Sequence, residues 1–244
     1  MRPIRRNASP RDGDFDDYTA AKPYLISRLG SYCSYCERRI VSQLAVEHIQ
    51  PKGRSQYGHL KGRWDNFLLS CINCNATKKD KDVDPEEVLL PDRDNTFLAF
   101  EYTPDGRVAV RDDLDSAAKS AAKRLLELVG LDRRISKASD ENGRLIAMDR
   151  VSQRMEAWLL AQETKKDVES NPENSAVREC AARTARENGF FSIWMTVFTG
   201  DVDMQRRLLH AFEGTSESGC FDENTLAPIS PAPNPDGLPH GGKI

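Results

Sequence analysis

Two Cys-x-x-Cys pairs, Cys33 with Cys36 and Cys71 with Cys74, constrain this chain more than any other feature. Two residues between cysteines let both thiolates of one knuckle reach a single tetrahedral Zn²⁺ at about 2.3 Å. A second knuckle completes a closed four-sulfur site, so these four residues are expected to hold a structural zinc with no open position. A redox role would need only one pair, usually opening a helix after a strand in a thioredoxin-like unit. The gap between the pairs is wider than a simple ribbon requires, and the inserted segment contains Glu47, His48 and Asn66. Cys180 and Cys220 have no partner at ligand spacing and are read as core or incidental residues.

Nothing in the sequence points to an oxidising compartment where six cysteines would form disulfides. No window approaches the roughly 18 apolar residues of a membrane span. The basic stretch at residues 1–6 has no apolar segment behind it, so it does not read as a signal peptide, and the expected compartment is the cytoplasm. With 244 residues, 39% apolar and 30% charged, the chain suits one large or two small globular domains. A net charge of −3 argues weakly against nucleic-acid binding, but phosphate contacts need only a local basic face. From His48 to Lys81 there are seven cations, Lys52, Arg54, Lys61, Arg63, Lys78, Lys79 and Lys81, against Asp65 and Asp80. The stretch from Glu213 onward is acidic, with Lys243 its only cation.

Residues 1–16 read as an arm or loop and 18–29 as a short helix stopped by Gly30. Residues 45–49 and 67–70 read as short strands, and about 75–81 as a helix ended near Asp84 and Pro85. Asp105-Gly106 between the alternating runs 97–102 and 107–111 signals a hairpin. Residues 116–129 turn helical, with Ala118, Ala121, Leu125 and Leu128 on one face and Gly130 closing it. A longer helix carries Leu145, Met148, Met155, Trp158 and Leu159 at helical spacing. Helical character continues over 174–188 and 190–213, with Phe191, Trp194, Met195 and Phe198 as expected core. The tail after Leu226 holds five prolines and is expected to be flexible, because such a composition buries too little surface to order itself.

Taken together, Cys33-x-x-Cys36, Val46-Glu47-His48-Ile49-Gln50-Pro51-Lys52, Trp64-Asp65-Asn66-Phe67-Leu68 and Cys71-x-x-Cys74-Asn75-x-x-Lys78 resemble the HNH endonuclease family. The resemblance implies a ββα-metal fold with an acid–His pair on the first strand, an Asn before the second, and a third ligand at the start of the helix. His48 then matches the general base, and a neutral imidazole can take a proton from water near pH 7. Successive strand residues point to opposite faces, so Glu47 and His48 meet only where the strand ends or twists. The family usually has Asp or His at the position of Glu47, a departure that keeps the carboxylate and lengthens its reach. Asn66 matches the residue that fixes the loop or orients the histidine, and Asn75 a ligand for a catalytic ion. An oxygen-rich Glu47/Asn75 set suits Mg²⁺ or Mn²⁺ holding several waters. Lys52 and Lys78 are candidate phosphate or DNA contacts as point charges. His59 sits in a basic, Gly-rich loop and is a weaker DNA candidate, while His210 and His240 read as structural and tail residues.

The wording around the motif, with Pro91-Asp92-Arg93-Asp94-Asn95 and the stretches at 212–215 and 220–221, resembles the HNH subunits of bacterial anti-phage systems. Among these it resembles the PtuB subunit family of Septu, also found with some retrons. That resemblance implies DNA cleavage during infection and an ABC-type ATPase partner of the PtuA kind. No Gly-rich Lys-Ser/Thr loop occurs here, so ATP binding would belong to another chain. Two other readings stay open: a stand-alone restriction- or repair-type nuclease, and a non-catalytic zinc module binding nucleic acid or protein. Spacing alone does not separate DNA from RNA as the substrate. The expected class is α+β. An arm and helix at 1–30 precede the zinc-clamped HNH core at 31–84. A β-hairpin and mainly helical region at 85–226 follows as the candidate partner-binding surface, and then the tail at 227–244.

Overall fold

A two-stranded ribbon is marginal in water by itself and needs cover on its apolar faces. The ribbon here joins β1 (Ala45–His48) to β2 (Phe67–Ser70), antiparallel, with Glu47 opposite Leu68 and His48 opposite Phe67. Every residue of β2 is buried, which its apolar run Phe67-Leu68-Leu69 requires. Cover comes from α1 (Lys22–Leu29), which packs on β2 through buried Leu25 and Leu29. α2 (Ile72–Lys78) follows the second strand directly, because the Cys71 side chain accepts from Cys74 N and so caps the helix start. The computed structural model describes residues 1–133 and 150–244.

Beyond this unit, α3 (Thr96–Ala99) leads into β3 (Phe100–Tyr102), which pairs antiparallel with β4 (Val108–Val110). α4 (Ser116–Val129) is capped by Asp115, whose carboxylate accepts from Ala118 N, and is closed by Gly130 at φ 62°. It packs on α2 and brings Leu125 and Val129 into one apolar core with Leu25, Phe67 and Leu69. α5 (Arg150–Ser170), α6 (Ser175–Asn188), α7 (Phe191–Val197) and α8 (Val202–Ala211) enclose a second core around Trp194, Phe198, Met204, Leu208 and Phe212. The chain is thus α+β, two small antiparallel sheets among helices, with the cysteine pairs at the edge of the first sheet. No helix among the described residues is long and apolar enough to cross a membrane.

Several elements depart from the sequence reading for identifiable reasons. The expected helix over 18–29 splits into a 3₁₀ turn, Tyr18–Ala21, and α1, because Pro23 lacks an N–H and suits the first turn of a new helix. The helix expected from about 75 starts three residues earlier, at the cysteine cap, and stops at Lys78, where Lys79 turns to φ 50°. Residues 96–99 form a helical turn, leaving only 100–102 for the strand. The helical run over 190–213 breaks at Gly200, φ 92°, and restarts at Asp201, which caps α8 by accepting from Met204 N. Leu159 is 58% exposed while Trp158 is buried, and Leu145 and Met148 lie outside the described residues.

The two ends of the chain differ most from expectation. The arm at 1–16 has no regular structure, yet Met1, Ile4 and Arg6 are buried. Arg6 donates to Phe67 O at 2.5 Å and pairs with Asp92 at 2.8 Å. The proline-rich segment 227–244, expected to be flexible, is tied down instead. Asn95 Nδ2 donates to Ile229 O, Gly242 N to Arg93 O and Lys243 N to Asp94 Oδ1, while Ala232 and Ile244 are buried. Its order comes from hydrogen bonds between its main chain and both the backbone and the side chains of residues 93–95, a source of stability that composition does not register.

Candidate active site

The first knuckle turns at Glu37, φ 62°, with Glu37 N donating to Cys33 O and Cys33 N to Arg38 O. This turn brings Cys33 and Cys36 against the start of α2. The four sulfurs of Cys33, Cys36, Cys71 and Cys74 lie within 4.8 Å of one another, and all four residues are buried. Cys36 Sγ and Cys71 Sγ are 3.7 Å apart, close to the ~3.8 Å edge of a tetrahedron with 2.3 Å zinc–sulfur bonds. The donor set therefore fits zinc. Arg150 Nη1 donates to Cys74 Sγ at 3.1 Å, and hydrogen bonds from Cys33, Cys36 and Cys74 favour the Cys71 thiolate. The Glu37 carboxylate points away from the sulfurs. It accepts from Tyr102 OH at 2.8 Å and from Ser192 N and Oγ at 2.7 and 2.8 Å, joining the knuckle to β3 and α7.

Beside this centre a cleft of about 580 Å³ is lined by Glu47, His48, Lys52, Asn75 and Lys78, with Tyr18, Thr19 and Lys22 from the N-terminal region. The ribbon delivers Glu47 and His48 at the end of β1, and α2 delivers Asn75 and Lys78 one turn apart. His48 Nε2 is 3.0 Å from Lys61 O. A carbonyl only accepts, so Nε2 carries the proton and Nδ1 is left as the basic nitrogen. Phe67 and Tyr18 hold the imidazole edge-on, at centroid distances of 5.2 and 4.8 Å. Burial lowers the His48 pKa, Lys52, Lys78 and Lys61 push it further down, and the Lys61 carbonyl opposes them.

Glu47 is 3% exposed, and its Oε1 sits 2.8 Å from Lys78 Nζ without a well-angled hydrogen bond. Burial raises its pKa and Lys78 opposes the rise. The Asn75 side chain lines the same cleft and makes no hydrogen bond among the described residues. The Glu47 carboxylate, ion-paired to Lys78, and the unengaged Asn75 amide share one cleft, an oxygen set of the kind a hard divalent cation takes together with several waters.

Lys78 is not open to a phosphate, and Asn66 stands outside the cleft, where it fixes a loop. Lys78 is 1% exposed, pairing with Glu47 and donating to His48 O at 2.7 Å, so its ammonium ties the acid–His strand to α2 rather than gripping a phosphate. Asn66 does not reach the cleft. It is buried, accepts from Gln50 N at 2.8 Å and donates to Gln50 O and Leu60 O, stapling the loop after β1 and lining a separate cavity with His240 and Arg93. Lys52 is exposed, and its Nζ lies 3.5 Å from the Tyr18 ring centroid. His59 and His210 are exposed and line none of the cavities described here. Tyr18 was missed by the sequence reading, since no spacing rule links residue 18 to residue 48.

Residues 33–81 match the family model of the HNH endonucleases, spanning both knuckles, the ribbon and α2. No curated protein matches the chain. Tyr18, Thr19 and Lys22 lie outside the matched segment.

Proposed function

Taking residues 33–81 as an HNH endonuclease-type domain with a four-cysteine metal-binding cluster, we propose that the chain is a metal-dependent endonuclease hydrolysing DNA phosphodiester bonds. The observation that carries this reading is the His48 imidazole, fixed by Lys61 O in one tautomer, in a cleft shared with Glu47 and Asn75. His48 Nδ1 takes the proton of the attacking water as its oxygen bonds to phosphorus, and the P–O bond to the leaving oxygen breaks. Glu47 and Asn75 would hold one Mg²⁺ or Mn²⁺, which when bound supplies positive charge for the developing oxyanion. Lys52, exposed at the cleft edge, binds a neighbouring phosphate. Tyr18 and Phe67 restrict the rotation of the His48 ring, and the four-cysteine zinc site holds α2 in register with β1.

The finer reading, resting on sequence resemblance, is the nuclease subunit of an anti-phage complex in the cytoplasm, regulated by a separate ABC-type ATPase through residues 85–226. A non-catalytic zinc module is the second reading, and the Glu47–Lys78 ion pair favours it, because Lys78 already neutralises the acid. Plasmid nicking with Mg²⁺ or Mn²⁺ separates them. The wild type is expected to nick, while His48→Ala and EDTA remove activity by at least ~10²-fold, the usual share of a general base. Activity only in the presence of the genomically adjacent chain supports the regulated form. A wild type indistinguishable from His48→Ala, with and without that chain, supports the binding module.

A further inference from the structure

A second cleft, of about 660 Å³, opens on the other flank of α2. On a helix advancing 3.6 residues per turn, Asn75 and Lys78 face one way and Asn73, Ala76 and Thr77 the other. The first set lines the catalytic cleft. The second lines this groove, together with Gly130 and Leu131 after α4 and the first turn of α5. Lys79 lines both, so the two clefts meet at the C-terminus of α2.

The groove is strongly basic. Lys79, Lys81, Arg133, Arg150 and Arg154 line it, and no carboxylate is among its described lining residues. Arg150 is committed to Cys74 Sγ, Val129 O and Gly130 O, so its charge is turned to the four-sulfur centre and the exposed cations above it are the ones open to a ligand. Lys79, Lys81 and Arg133 are exposed. None of these three forms an ion pair with a described carboxylate, and Lys81 Nζ donates to the neutral Leu128 O. Arg133 differs in this from Arg107, Arg111, Arg124, Arg178 and Arg207, each of which carries a carboxylate partner. In a chain of net charge −3, three exposed cations with no described carboxylate partner beside the catalytic cleft give a local field suited to a polyanion.

We infer that this groove is a second phosphate-binding subsite, which takes the phosphodiester backbone of the substrate as it leaves the catalytic cleft across Lys79. The inference deepens the nuclease reading and rests on it for the substrate class. The subsite acts on substrates long enough to reach it, through counter-ion release rather than base recognition.

The test uses the full chain carrying His48→Ala, with and without Lys81→Ala and Arg133→Ala, and duplex DNA of about 6 and about 24 base pairs, roughly 20 and 80 Å at ~3.4 Å per step. Binding of the long duplex is expected to weaken about tenfold at 0.1 M salt. The slope of log K against log salt should fall by ~1.8, at about 0.9 per lost phosphate contact on duplex DNA. Binding of the short duplex should stay unchanged. The charge-conserving pair Lys81→Arg with Arg133→Lys should restore long-duplex binding, and matching melting temperatures establish that all variants fold. Equal effects on both duplexes, or an unchanged salt slope, overturn the inference. A separate cleavage assay on wild type carrying the same substitutions keeps the readings apart: no cleavage by any form counts against the nuclease, whereas the length and salt dependence of binding judges the groove alone.

Discussion

The chemistry proposed for His48 has a definite sign on the pH axis. Burial disfavours the imidazolium, and three nearby lysines add to that, so the pKa lies below the ordinary 6.5. A general base works only when neutral, so kcat/KM should rise with pH through a midpoint under 6.5 and be level by neutrality. A pH–rate profile with its acid limb centred above 6.5 would contradict the assignment. Stability follows the same sign. A lowered folded pKa means the unfolded chain binds more protons in that window, so this group adds stability as pH rises through it. Lys78 gives a second test at this scale. Lys78→Ala strands a buried carboxylate, with an expected loss of about 3–5 kcal/mol in urea denaturation, while pairing Glu47→Gln with Lys78→Met should recover most of it. Lys78 looked like a surface cation in the sequence because its partner, Glu47, lies on another element, β1, and charge pairing between elements has no spacing signature.

Between elements, one contact of the helical region with the first knuckle is backbone against backbone. Gly189, at φ 83°, follows α6, and a Cβ there would stand 2.7 Å from Arg39 N and 2.8 Å from Glu37 O. Gly189→Ala is expected to lower stability by about 1–3 kcal/mol, measured by thermal or urea unfolding; an unchanged midpoint would show that the knuckle yields. The elements that were legible in sequence are those with strong local signals. β2 and α4 were read with the bounds they have, because an apolar run and an Asp115-to-Gly130 capped periodicity are written in neighbouring residues. The four-cysteine centre was legible for the same reason, in the Cys-x-x-Cys spacing. The α7–α8 break was not, since Gly200 and Asp201 interrupt a stretch whose periodicity stays helical on both sides.

At the scale of the whole molecule, segments distant in sequence close over residues 91–96. Residues 1–6 supply Ile4 N to Pro91 O and the Arg6–Asp92 pair, and the proline-rich end supplies bonds to Arg93, Asp94 and Asn95. Composition-based reasoning treats such ends as solvent-exposed chain, and so it missed both. Removing residues 227–244 is therefore expected to lower the melting temperature by several degrees, at ~2–4 °C per kcal/mol for a chain of this size, and to speed proteolysis near Asn95. An unchanged melt and digestion pattern would count against a structural role for this segment.

The buried carboxylate of Glu37 ties these scales together. It leaves the metal-binding knuckle and ends on Ser192, two residues before Trp194, an indole stacked on Phe198 in the core of the helical region. A loosened knuckle would release that grip and change the surroundings of Trp194. The chain thus carries an intrinsic optical probe of its four-sulfur centre, in a helix that contains no cysteine.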